Sequence, residues 1–129
     1  MATRKEREKY RAVCYSMLAA IKPKLTRPVC FVIRDGKSAD YAGLYEELDG
    51  WHKVTITMAH NRNNANLFET VAHEVVGHAV QAEKGEGFAH DRNFWRRLDR
   101  VLVRFGLSPS TKKHRKDCRA MGRLMGHGG

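Results

Sequence analysis

The chain is 129 residues long with a formal net charge of +10, a length that supports one domain around a single modest core and excludes two independent ones. Its 42% hydrophobic and 29% charged residues are ordinary for a soluble globular domain, and no stretch approaches the ~18 consecutive apolar residues of a membrane-spanning helix. Cys14, Cys30 and Cys118 are odd in number and form no C-x-x-C pair, which fits reduced thiols better than a disulfide framework or a zinc ribbon.

Apolar residues at Tyr10, Val13, Cys14, Met17, Leu18 and Ile21 trace one helical face, predicting an amphipathic helix that starts near Thr3 and is broken by Pro23 and Pro28. Val29-Cys30-Phe31-Val32-Ile33 is a continuous apolar, β-branched run and reads as a buried strand before Asp35-Gly36. Gly43–Leu48, Asp49-Gly50 and Trp51–Met58 form a β-hairpin signature, two strands joined by a two-residue Asp-Gly turn. After the polar loop His60–Asn66, the segment from Leu67 to about Lys84 is helical and apolar around much of its circumference, so it should be central and buried. Gly85 and Gly87 end it. A last helix carries Phe94, Leu98, Val101, Leu102 and Phe105 as a core stripe, with Trp95 beside it and Arg92, Arg96, Arg97, Arg100 and Arg104 elsewhere, until Gly106 stops it. A short basic helix is expected around Lys112–Met125. The order predicts an α+β fold with a small antiparallel or mixed sheet, divided into a domain over 1–107 and a basic tail over 108–129.

The buried helix contains His73-Glu74-Val75-Val76-Gly77-His78. Polar groups in an apolar segment need partners, and a metal ion is one way to supply them. In His-Glu-x-x-His the imidazoles are four residues apart, about 40° around an α-helix, and converge on one ion. Here the spacing is five residues, which on a regular helix turns them about 140° apart. A π-bulge absorbing one residue would restore convergence, and Gly77, directly before the second histidine, marks a local backbone requirement.

His73–His78 resembles the His-Glu-x-x-Gly-His element of dipeptidyl peptidase III, in which both histidines bind zinc and the glutamate is the base. A broader stretch, the strand Val54–Met58, then Phe68-Glu69-Thr70-Val71-Ala72-His73-Glu74, then His90-Asp91-Arg92-Asn93-Phe94-Trp95, is similar to the SprT-like minimal zincins and the small WLM-type metallopeptidases. That resemblance spans roughly residues 52–105. It departs from the family in its histidine spacing and in lacking a cysteine-rich tail. It implies a zincin-like minimal domain, Zn²⁺ held by His73, His78 and His90, Glu74 as general base, and a metalloendopeptidase activity. In that family the substrates are proteins bound or crosslinked to DNA. Glu83, Glu86 or Asp91 are alternative third ligands, and Tyr41, Tyr45 and His60 are candidate oxyanion stabilisers. His52, His114 and His127 are expected to be solvated.

The positive charge is segregated. Residues 1–11 carry five Lys/Arg and two Glu, 91–105 five Arg and two Asp, and 108–129 six Lys/Arg and Asp117, whereas 12–90 hold eight basic and nine acidic side chains. Such clustering suits a DNA partner and equally suits basic ends that only aid dispersal. Two other functions therefore stay open: a non-enzymatic nucleic-acid-binding module with structural zinc or no metal, and a metallopeptidase acting on acidic proteins. The charged N-terminal sequence, with no apolar signal core after it, suggests an intracellular, cytoplasmic or DNA-associated protein with no membrane partner.

Overall fold

The computed structural model describes residues 2–109. They form α1 (Arg4–Ile21), β1 (Val29–Arg34), β2 (Gly43–Leu48), β3 (Trp51–Thr57), a 3-10 turn (Met58–His60), α2 (Asn64–Ala72), a π-helical segment (His73–Ala79), α3 (Val80–Glu83) and α4 (Arg92–Arg104). The α+β expectation holds. Residues 110–129, with the predicted helix at Lys112–Met125, Cys118, His114 and His127, lie outside the described residues.

Local chemistry sets the element ends. Thr3 caps α1 by accepting from the Glu6 amide at 3.1 Å. Gly50, at φ +80°, makes the tight connection between β2 and β3, and Asp91 caps α4 through the Phe94 amide at 2.9 Å. Gly106, at φ +79°, follows the end of α4.

The sheet has the order β1-β3-β2, with β1 parallel and β2 antiparallel to β3. Strand β3 is central, and His52, Thr55 and Thr57 on it are buried along with Val54 and Ile56, so side chains on both of its faces are enclosed. The outer edge of β1 is closed by α1: Arg11 donates to the Phe31 carbonyl at 3.2 Å, and the Tyr15 hydroxyl accepts from the Phe31 amide at 3.1 Å. Asn61 is a second tie. Its side-chain amide donates to Thr57 and Ala42 carbonyls at 2.7 and 2.9 Å, while its oxygen accepts from Thr70 at 2.6 Å. The Tyr10 hydroxyl donates to its backbone carbonyl at 2.5 Å, joining α1, β3 and α2 at one buried residue.

The predicted stripe of α4 is core at Phe94, Leu98, Val101 and Leu102, but Phe105 is 40% exposed. It follows the end of α4, and its ring rests at the edge of the core on Phe68, at 4.9 Å between centroids. Trp95 is buried as fully as the stripe.

The expected backbone requirement at Gly77 proves to be one of space. Its φ is not in the positive range, and a Cβ there would collide with Cε2 and Cζ of the Phe94 ring. The glycine lets α4 lie against the π segment. Gly77→Ala is expected to destabilise the fold by about 1–3 kcal/mol in urea titrations, as overpacking does, and Phe94→Leu in the same chain should recover part of the loss.

Candidate metal centre

Seven consecutive residues, His73–Ala79, are π-helical and all are buried. In a turn closed by i→i+5 hydrogen bonds, positions five apart stack as positions four apart do in an α-helix. The expected bulge is therefore present, and it places His73 and His78 on one side. Their ring centroids are 5.1 Å apart. His90, on the loop just before the cap of α4, completes the group at 5.1 Å from His73 and 4.9 Å from His78.

The three imidazoles each offer a ring nitrogen, and these atoms lie within 4.8 Å of one another. Nε2 of His78 and Nε2 of His90 are 3.1 Å apart. Two nitrogens bound at ~2.0–2.1 Å to one tetrahedral ion stand about 3.3 Å apart, so this pair fits a shared metal. Phe94 forms one wall, its ring 4.6–4.8 Å from all three imidazoles. Trp95 stands 6.1 Å from His73 and 5.7 Å from His90, and the Tyr45 ring stacks on His78 at 6.0 Å and 17°.

Glu74 is buried, and its Oε1 has no hydrogen-bond partner among the described residues. Burial alone pushes its carboxyl up to about 8. Strand β2 passes close by: a Cβ on Gly43 would come within 3.0 Å of Glu74 Oε2 and 2.7 Å of Thr70 Cγ2. A neutral buried carboxyl with an unsatisfied oxygen is costly, and a nearby cation or a substrate group would relieve it. Donor set, burial and spacing thus fit a metal ion.

The alternative ligands are committed elsewhere. Glu83 accepts from the Thr26 amide and hydroxyl at 2.8 and 2.9 Å and the Arg27 amide at 3.1 Å, and meets His52 at 2.7 Å. Glu86 pairs with Arg97, and Asp91 caps α4. Among the oxyanion candidates, the Tyr45 hydroxyl is 2.7 Å from His52 Nδ1, His60 is exposed and bonds the Ala39 carbonyl, and Tyr41 contributes its backbone carbonyl to Thr57.

His52 is a correction. Expected in solvent, it is fully buried between Tyr45 and Glu83. It shares strand parity with Val54 and Ile56, and that alternation is the signal that marks it as inward-facing. Gln81 is a residue that the sequence reading did not single out for a role. It is fully buried, its Nε2 donates to the Ala89 carbonyl at 2.5 Å, and its Oε1 lies 3.4 Å from His78 Nδ1. Its place three residues after His78, on the same helix face, is the signal for it.

Comparison of the chain with known protein families, with curated proteins and with solved structures finds no match. The centre is read from its own geometry.

Glu83 makes the network around His52 sensitive to acid. Burial raises its carboxyl, but hydrogen bonds from His52, Thr26 and Arg27 outweigh burial and bring it from 4.5 down to about 2. A group depressed on folding contributes stability above its unfolded value, and that contribution is lost as pH falls from 4.5 toward 2. Thermal melts of the wild type should therefore fall more steeply than those of Glu83→Gln over this range, the two converging near its lower end.

Proposed function

We propose that the chain is a zinc-dependent metalloendopeptidase of the SprT-like minimal zincin type, with His73, His78 and His90 as ligands and Glu74 as general base. The observation that carries this reading is the convergence of three buried imidazoles, two of them aligned by the π turn, beside a buried carboxyl on the same turn whose Oε1 has no partner among the described residues. Zinc held there would supply an activated water and polarise a peptide carbonyl. The chain's own residues divide the remaining work. His73, His78 and His90 bind, and Phe94 and Trp95 wall the centre and keep bulk water out. Glu74, as the carboxylate, takes a proton at Oε1 and returns it to the leaving amine.

Zinc stoichiometry on the full chain tests the reading. About one zinc per wild-type molecule is expected, lost in His73→Ala, His78→Ala and His90→Ala while circular dichroism shows the fold retained. Glu74→Gln should keep zinc and fold and lose at least ~10²-fold in the rate of casein cleavage. A wild type that takes up no zinc when loaded overturns the proposal.

A nucleic-acid-binding role, either for recruiting DNA-associated substrates or as the function itself, is favoured by one face of α4. Arg97 is held by Glu86, and Arg104 donates to the Ile21 carbonyl at 2.7 Å. Arg92, Arg96 and Arg100 are exposed, spaced every fourth residue, and joined by no ion pair to another described residue. A four-residue step is about 6 Å along the helix, so the three present a line of charge to a phosphate backbone. Binding to duplex DNA should weaken steeply between 50 and 200 mM salt by fluorescence anisotropy. Replacing the three with glutamine should reduce the log–log salt slope by about 3. An unchanged slope removes α4 from the interface.

A further inference from the structure

Gln81 is a buried amide whose two ends face different parts of the centre. Its Nε2 donates to the carbonyl of Ala89, the residue before His90. A carbonyl only accepts, so the amide orientation is fixed, and Oε1 must be the atom turned toward His78 Nδ1, at a long 3.4 Å. An amide oxygen also only accepts. The proton of the neutral His78 ring therefore sits on Nδ1, and the lone pair is left on Nε2, the nitrogen 3.1 Å from His90 Nε2. The partner of one ring nitrogen thus decides which nitrogen can bind a metal.

The second end acts on the loop. Between Glu83 and Asp91 the chain contains Gly85 at φ +66° and Gly87 at φ +82°, which leave its course to be set by contacts. Gln81 provides two of them, its own carbonyl accepting from the Glu86 amide at 3.0 Å and its side chain holding Ala89. Glu86 is fastened in turn by Arg97.

We propose that Gln81 is a positioning residue of the metal centre, holding His78 in its Nδ1-protonated tautomer with one end of its amide and tethering the loop that presents His90 with the other. This rests on His73, His78 and His90 holding a metal. It adds a residue that touches neither ion nor substrate.

The test uses the full-length protein and two readouts. In the metal-free chain at neutral pH, two-bond ¹H–¹⁵N correlations should show His78 protonated on Nδ1 in the wild type. In the near-isosteric Gln81→Met, which lacks both polar ends, the proton should shift toward Nε2. Gln81→Glu should retain the wild-type tautomer, because a carboxyl oxygen accepts from Nδ1–H in either protonation state. The second readout is Zn²⁺ affinity, measured by competition with a chromophoric chelator. Gln81→Met should bind about 10–100-fold more weakly, with Gln81→Glu between it and the wild type, while circular dichroism of both matches the wild type. A wild-type His78 protonated on Nε2 overturns the proposal without any variant, and so decides it should Gln81→Met not fold. Zinc affinity in Gln81→Met within twofold of wild type overturns it as well. A wild type that binds no Zn²⁺ instead brings down the metal reading, and the positioning role with it.

Discussion

The centre depends on one widened turn. Two histidines five residues apart diverge on an α-helix and converge on a π-helix, so the geometry of His73 and His78 is set by backbone hydrogen bonding before any side chain is placed. Because all seven residues of that segment are buried, its neighbours have to approach closely from more than one direction. A glycine lies at each of two such approaches: Gly43 where β2 passes Glu74, and Gly77 where α4 lays Phe94 against the helix. A side chain at either place would hold the strand or α4 away from the helix that carries the imidazoles.

Two adjoining sets of buried polar groups meet at Tyr45. His52, Tyr45 and Glu83 satisfy one another and reach the backbone at Thr26 and Arg27, which makes that set a closed network that stiffens the packing around it. The imidazole cluster is the open set in the sense that its three rings converge on one point where an ion could sit, with Glu74 on the same helix. Tyr45 belongs to both. Its hydroxyl is spent on His52 while its ring lies flat on His78, so the closed network steadies one wall of the open one. That division also explains why Tyr45 makes a poor candidate for stabilising charge on a substrate.

Features written in local chemistry could be read from the sequence: the Thr3 cap, the Asp49-Gly50 hairpin, the stop at Gly106 and the buried character of the helix over 67–84. The π turn could be reached as well, because two histidines at an awkward spacing make sense around a common ion only if the backbone yields. What escaped depends on contacts between distant segments. The parallel pairing of β1 with β3 leaves no turn signature, and without it β3 is not known to be central. Gly77 stands out in the sequence as a glycine inside a buried helix, but its reason lies seventeen positions away in the ring of Phe94. The bond from Gln81 to Ala89 depends in the same way on a loop that returns over the helix.

The contact between Gly77 and Phe94 bears on how such a sequence can change over time. The ring touches all three imidazoles on one side and fills the space above a missing Cβ on the other. Enlarging residue 77 first produces a clash, and shrinking residue 94 first leaves a cavity beside the histidines, so each single step is costly while the pair together is milder. The two positions are epistatic in the strict sense. Drift through this part of the molecule has to cross a destabilised intermediate, which only a chain with stability in reserve can do.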